Sequence, residues 1–344
     1  MRKNDYIRVA IIGAGRNTTS RHIPGLQAIE GVEIVGVCNR SQDSSRRVAE
    51  AFSIPKTYDN WQEAIDDIDV DAIVVGTWPY MHCRVTLAAL EASKHVMTEA
   101  RMAMNVEEAA CMLEAAQANP QLVTQIVPSP MTLEVDNTIR RLLLEGYLGT
   151  LLAVELRACN GRFLDPEAPM TWRQNRDLSG CNTLTLGIWY EAIMRWIGEA
   201  TRVTAMGKVF VPMRKDSQAD ALRAVHIPDH LDVVADMACG AQAHLQFSNA
   251  AGLASAERIY LIGSEGTLAL EHGTLLGGRK GDETLDAIPI PEEEKGRWRV
   301  EEEFINAIRG IEPITHTTFE DGLKYMRFTE AVIRSMEEGR TMPV

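Results

Sequence analysis

The sequence predicts an α/β chain: an N-terminal doubly wound parallel sheet, then a C-terminal α+β domain whose sheet is mainly antiparallel. Three observations predict it. Short apolar runs alternate with amphipathic segments through the first third. The pattern breaks near Pro128-Ser129-Pro130. Beyond it, period-two runs dominate and are joined by turn signals such as Cys239-Gly240 and Gly263-Ser264-Glu265-Gly266.

The elements follow in order. Ile7 to Ile12 is a continuous Val/Ile run, the mark of a strand buried on both faces. A helix is expected from about Ser20 to Ile29 and a strand at Val32 to Val37. The helix Ser41 to Phe52 places Val48, Ala51 and Phe52 on one face. Helix Trp61 to Ile65, strand Asp71 to Val75, helix Arg84 to Ala92, strand His95 to Met97, helix Val106 to Ala118 and strand Val123 to Ile126 complete the βαβ series. A long helix, about Leu133 to Glu145, opens the second part. Strands are expected at Leu151 to Arg157, Val203 to Phe210, Leu231 to Met237, Ala241 to Phe247, Arg258 to Ile262 and Thr267 to Glu271. Helices Arg299 to Ile308 and Phe319 to Gly339 close the chain. The domains are therefore 1–126 and 127–344. The runs Glu292 to Glu294 and Glu301 to Glu303 read as solvated faces, and Arg214-Lys215 as a solvated loop.

Composition bounds the function. The chain has 344 residues, and ~150 residues per domain gives about two domains. Hydrophobic residues are 45% and charged residues 24%, which excludes disordered, collagenous and disulfide-miniprotein classes. The net charge of −13 opposes nucleic acid and anionic lipid as partners. No apolar run reaches the ~18 residues of a membrane span, and Asp5 and Arg8 interrupt any leader core. Six cysteines stand singly, at 38, 83, 111, 159, 181 and 239, as reduced thiols of a cytoplasmic protein would. His226, His230, His244 and His272 are too dispersed for a metal site, and none is expected.

Gly13-Ala14-Gly15 lies between the first strand and the first helix. The first glycine permits the tight turn, and the second lets backbone approach a pyrophosphate at a helix N-terminus. The third small position falls near Thr18 rather than on a glycine. This context makes the first domain a dinucleotide-binding one, with Gly13, Gly15, Arg16 and Asn17 as cofactor contacts. The second strand ends in Asn39-Arg40-Ser41, where an NAD site usually carries Asp or Glu. Arg40 can stack on adenine and face a 2′-phosphate, with Ser41 donating, so NADP is favoured over NAD. The bland alternative leaves Arg40 and Arg16 in solvent.

These residues resemble the glucose–fructose oxidoreductase/inositol dehydrogenase/MocA (Gfo/Idh/MocA) family. The resemblance rests on Val9 to Gly15, Gly36 to Ser41, Asp71 to Thr77 with His82, and Leu87 to Ala92 leading to Lys94-His95-Val96. Trp172-Arg173, Phe304 to Gly310 and Glu320-Asp321-Gly322 extend it over nearly the whole chain. It implies an N-terminal Rossmann domain, a C-terminal domain with a large open sheet, and homodimers or homotetramers formed through that sheet. It also implies NAD(P)-dependent oxidation or reduction of sugars, polyols and related small molecules. Thr77, Trp78, Pro79, His82 and Glu99 would line the nicotinamide side.

The family's proton-handling residues are a lysine in Glu-Lys-Pro and an Asp and His four residues apart on one helix face. Here the first reads Glu99-Ala100-Arg101, and the second pair falls on Thr185 and Trp189, a register supported by Gly187, Tyr190 and Arg195-Trp196. A positioned acid/base contributes ~10²–10⁴ in rate, and neither Ala100, Thr185 nor Trp189 can supply one near neutral pH. Candidate replacements are Arg101, a permanent cation suited to a carboxylate or alkoxide, and Tyr190, a donor if cations depress its pKa. Arg173 and Asn182 are candidate substrate hydrogen-bonders. Trp172 and Trp189 either form a stacking platform or pack. Glu191 reads as exposed. Three functions follow: an NAD(P)-dependent oxidoreductase with a re-equipped site, a non-catalytic cofactor-binding sensor or partner subunit, or a lyase or hydrolase using transient oxidation.

Overall fold

The computed structural model describes residues 6–216 and 219–344. The chain forms two compact units. One comprises residues up to Pro128 with Arg299–Leu323, and the other comprises Ser129–Trp298 with Lys324–Val344. A single boundary near residue 127 does not describe the return of Arg299–Leu323 to the first unit.

The first unit is built on six parallel strands: β1 (Ile7–Ile12), β2 (Val32–Cys38), β3 (Lys56–Thr57), β4 (Ala72–Val75), β5 (His95–Thr98) and β6 (Thr124–Ile126), in spatial order β3-β2-β1-β4-β5-β6. The order reverses between β1 and β4, and such a switch point at the carboxyl ends of the strands is where α/β sheets bind ligands. Ile12 is level with Cys38 on one side and with Val75 on the other. The apolar runs form strands because helices cover the sheet; Ile12, Ile73, Val75, Val85, Leu90 and Val96 are buried in one cluster.

A π-helical turn (Thr18–His22) leads into α1 (Ile23–Gln27), earlier than the expected helix. Helix α2 (Gln42–Phe52) is capped by Ser41 and buries Ser45 and Ala49, so its inner face lies beside the one expected; Ala51 is exposed. Helix α3 is Trp61–Asp66. Helix α4 (Pro79–Glu91) starts five residues before the expected Arg84, because Pro79 takes a first-turn position where it needs no N–H partner. Helix α5 (Val106–Ala118) matches its expectation and is capped by Asn105.

The second unit holds helix α6 (Asp136–Leu144), which starts three residues after the expected Leu133, and strand β7 (Leu151–Cys159). There follow α7 (Arg176–Ser179), α8 (Leu186–Ile197), β8 (Ala200–Lys208), β9 (Met213–Asp216), β10 (Ala221–Ala224), β11 (His230–Met237), β12 (Gln242–Ser248), β13 (Ala256–Gly263), β14 (Gly266–Glu271), β15 (Thr274–Arg279) and β16 (Asp286–Ala287). After α9 (Val300–Ile308, in the first unit) and α10 (Phe319–Glu338), β17 (Met342–Pro343) completes a nine-stranded sheet in the order β16-β15-β14-β13-β7-β12-β11-β8-β17. All neighbours are antiparallel except β7 and β12, which are parallel. Val233, Leu245, Leu156 and Leu261 alternate inward and are buried.

Two charged segments depart from expectation. Glu301 and Glu303 are buried on α9. Arg214 lies in β9, buried, and donates to the carbonyls of Asp165 and Ala168.

Candidate functional site

In the first unit the chain leaves β1 through Gly13 at φ +90°, whose N–H donates to the Cys38 carbonyl at 2.8 Å. A Cβ at Gly13 would stand 2.6 Å from the Thr77 nitrogen, so only glycine fits. A Cβ at Gly76 would likewise stand 2.1 Å from the Gly13 carbonyl oxygen. The N–H of Ala14 donates to Asn39 Oδ1 at 2.6 Å, while Asn39 Nδ2 donates to Ser44 Oγ at 3.1 Å. Asn39 therefore braces the loop against the start of α2 and does not point its oxygen at a ribose. Gly15 is exposed, and a Cβ there would meet only the Gly76 carbonyl at 3.7 Å. A tight turn, an open backbone and a following helix fit a dinucleotide pyrophosphate.

Around this cradle, Arg16, Arg40 and Ser41 are exposed, and Ser41 caps α2 by accepting the Ser44 N–H at 3.3 Å. The Arg40 guanidinium lies 5.7 Å from the Trp78 ring centre. Thr77 and Trp78 are half-buried and Pro79 is buried. His82 departs from its expected role. It is wholly buried, with its two ring nitrogens 3.0 Å from the carbonyl oxygens of Thr77 and Arg101. It staples two loops and offers no side-chain atom to a ligand. Burial holds its pKa below the ordinary histidine value, against the pull of those carbonyls.

Glu99 follows β5, and after it come Ala100 and the buried Arg101, joined by a cis peptide. Glu99 Oε1 accepts from Asn17 Nδ2 at 2.5 Å and pairs with His22 Nε2 at 3.0 Å. His22 Nδ1 lies 2.5 Å from Glu301 Oε1. The ring is 0% exposed. Burial alone would lower its pKa, but the carboxylates of Glu301 and Glu99 outweigh it and push it up to about 9. Burial would raise Glu99, and the charged ring beside it holds its carboxyl below the usual range instead. His22 and Glu301 escaped the sequence reading because they stand 279 positions apart and no local pattern links them.

In the second unit, Thr185 is the exposed residue ahead of α8, and its carbonyl accepts the Trp189 N–H at 3.1 Å. Trp189 is 2% exposed, so it packs and forms no platform with half-buried Trp172. Tyr190 is corrected too. It is 1% exposed, stacks on Phe328 with ring centres 3.5 Å apart, and accepts the Ala200 N–H at 2.7 Å. Burial pushes its pKa up, the opposite of what a proton donor requires. Glu191 is buried rather than exposed; it accepts the Ser129 N–H at 2.9 Å and pairs with Arg195 at 3.0 Å. Arg195 also pairs with Asp136 at 3.0 Å, and Asp136 accepts the Trp196 indole N–H at 2.7 Å. This brace fixes α8 against the segment that enters the unit. Arg173 is exposed and stacks 4.2 Å over Trp172. Asn182 is buried, donating to the Ser179 carbonyl at 2.7 Å, and Ser179 Oγ donates to the Arg173 carbonyl at 3.3 Å. Arg173 and Asn182 are thus linked through Ser179, but only Arg173 faces solvent.

Among the described residues, no helix is long and apolar enough to cross a membrane, and no group of His, Cys, Asp and Glu side chains is placed to hold a metal ion.

Comparison with known proteins agrees with this fold. Residues 7–126 match the family model for an oxidoreductase family with an NAD-binding Rossmann fold, and residues 137–269 match the GFO/IDH/MocA C-terminal domain. Levoglucosan dehydrogenase of Pseudarthrobacter phenanthrenivorans is 23% identical over 55% of this chain and 49% of its own length. Inositol 2-dehydrogenase/D-chiro-inositol 3-dehydrogenase of Shouchella clausii is 34% identical over 35% of each chain. The chain thus spans about half or less of the length of these two relatives. In three dimensions, levoglucosan dehydrogenase in complex with NADH and L-sorbose superposes with a TM-score of 0.85, at 19% identity over 98% of both chains. With both domain models matched in order, the chain belongs to the Gfo/Idh/MocA family of oxidoreductases.

Proposed function

We propose that this protein is an oxidoreductase that binds NADP in preference to NAD and acts on a sugar, polyol or related cyclic or carboxylated small molecule. The observation that carries the reading is the cradle formed by Gly13, Ala14 held by Asn39, and the open Gly15 at the switch point of a family-matched NAD-binding domain. When bound, the nicotinamide supplies hydride transfer to or from the substrate carbon. Arg40, exposed beside Trp78 at the end of β2, supports the NADP preference, since a guanidinium suits a 2′-phosphate. The levoglucosan and inositol dehydrogenases among the relatives support the substrate class.

Proton handling differs from the family pattern. Ala100 and Thr185 cannot titrate near neutral pH, and Trp189 and Tyr190 are packed. Arg173, exposed over Trp172, hydrogen-bonds the substrate, whereas the Arg101 side chain is buried, as Trp189 and Tyr190 are. Water carries the proton. A substrate panel followed by nicotinamide absorbance tests this, and turnover with any polyol or sugar supports it. The missing acid/base residues favour a second reading, a cofactor-binding sensor or partner subunit, which binds nucleotide and turns over nothing on the same panel.

A homodimer or homotetramer formed through the nine-stranded sheet is part of the proposal. Met206 and Val234 are exposed on one face of that sheet, where adjacent strands bring Met206 opposite Asp232. The six unbonded cysteines support a reducing, cytoplasmic setting.

A further inference from the structure

We propose that His22, clamped between Glu99 and Glu301, is a positioning residue for cofactor binding: its doubly protonated ring ties the helix that follows the phosphate loop to the end of β5 and to α9. The inference rests on the nicotinamide reading above and deepens it.

The geometry carries it. Both ring nitrogens of a fully buried imidazole face carboxylate oxygens, at 3.0 Å and 2.5 Å. A neutral imidazole has one N–H, so one carboxylate would then face a lone pair. The charged ring gives each carboxylate an N–H; Asn17 Nδ2, 3.2 Å from Nε2, donates beside it to the same Glu99 oxygen. Glu99 from the end of β5, Glu301 from α9 and Asn17 from its own helix face His22. Glu99 also feels the charge of His82 when that ring is protonated. Asn17 donates to the same Glu99 oxygen as His22 and sits two residues past Gly15. The next turns of this segment are fastened to the loop itself: Thr18 Oγ1 donates to the Gly13 carbonyl at 3.2 Å, and the Thr19 N–H donates to the Gly15 carbonyl at 2.9 Å. Movement of Asn17 and His22 therefore moves the backbone that meets the pyrophosphate. When the ring loses its proton, the charge-assisted bridge from Glu99 through His22 to Glu301 is broken inside the protein, which is strongly unfavourable. The helix then shifts and cofactor affinity falls.

The test is calorimetric titration of the intact protein with NADP+, and with NAD+ in parallel, from about pH 7 to about pH 10, with circular dichroism confirming the fold at each step. The expected result is a Kd that rises ~10-fold or more with both nucleotides, with a midpoint near 9. His22→Gln keeps one donor without the charge; it binds weakly at neutral pH and shows no such rise. Glu301→Gln moves the midpoint down. A folded wild type whose Kd is flat over this range, or a His22→Gln variant with the wild-type Kd and profile, overturns the proposal. If His22→Gln does not fold, the imidazole nitrogen spectrum of the wild type decides. Two protonated nitrogens on His22 at neutral pH support the proposal, and a single neutral tautomer overturns it. Binding of neither nucleotide at any pH removes the nicotinamide reading itself, and the proposal falls with it. That outcome is distinct from pH-independent binding, which removes only the role of His22.

Discussion

The side-chain oxygen of Asn39 accepts the Ala14 N–H at 2.6 Å and ties the end of β2 to the phosphate loop. An acidic residue at the end of this strand ordinarily turns to the cofactor ribose. Asn39 turns inward instead and shapes the cradle. Asn39→Ala leaves the Ala14 N–H without its partner and costs about 1–2 kcal/mol of cofactor binding, roughly 5- to 30-fold. The loss is the same for NAD and NADP, because the bond concerns the pyrophosphate loop they share. Calorimetry with both nucleotides checks this, and a loss confined to one would assign Asn39 to the ribose.

Arg40 is the residue expected to tell the two nucleotides apart. It is exposed, next to Trp78. Hydrogen bonds to charged groups contribute about 1.5–3 kcal/mol, so Arg40→Ala weakens NADP ~10- to 100-fold and leaves NAD nearly unchanged. An equal effect on both would place the guanidinium on adenine alone.

Tyr190 stacks on Phe328 and accepts the Ala200 N–H. Tyr190→Phe keeps the stack and strands that N–H, at a stability cost of about 1–3 kcal/mol. Thermal melting measures it. In an active enzyme kcat stays within a factor of about two, whereas a fall of ~10²–10⁴ would restore Tyr190 as a general acid.

Stability against pH reports on His22. Its pKa is raised from 6.5 unfolded to about 9 folded. The charged ring therefore contributes stability that is complete below 6.5 and is lost as pH rises through about 9. The span is on the order of 3 kcal/mol. The melting temperature should fall across this window in the wild type and much less in His22→Gln.

Much of the fold was legible because its signals are local. Continuous apolar runs marked β1 and β4, and Asn105 opened α5 where the periodicity placed it. Pro79 hid the first turn of α4, since a proline reads as a breaker although it suits a helix start. The strand β15 was missed: Gly277 and Gly278 interrupt its alternation, and both sit where a Cβ would collide with a neighbour. The parallel pairing of β7 with β12 is a topological fact that neither strand's pattern carries. At the candidate site, Gly13 is readable because the turn demands it, and Gly15 because a pyrophosphate needs open backbone after it. The roles of Tyr190, Glu191 and Glu301 depend on partners distant in sequence, Phe328, Ser129 and His22, and a charged residue reads as solvated until its buried partner is known.

The most direct measurement is isothermal titration of nucleotide-free protein with NADP+, NADPH, NAD+ and NADH. The account predicts binding in the micromolar range, about −8 kcal/mol, tighter for the NADP pair and weakened at the same site by Asn39→Ala. Binding of none of the four by a folded protein would contradict it, leaving a Rossmann domain without its cofactor.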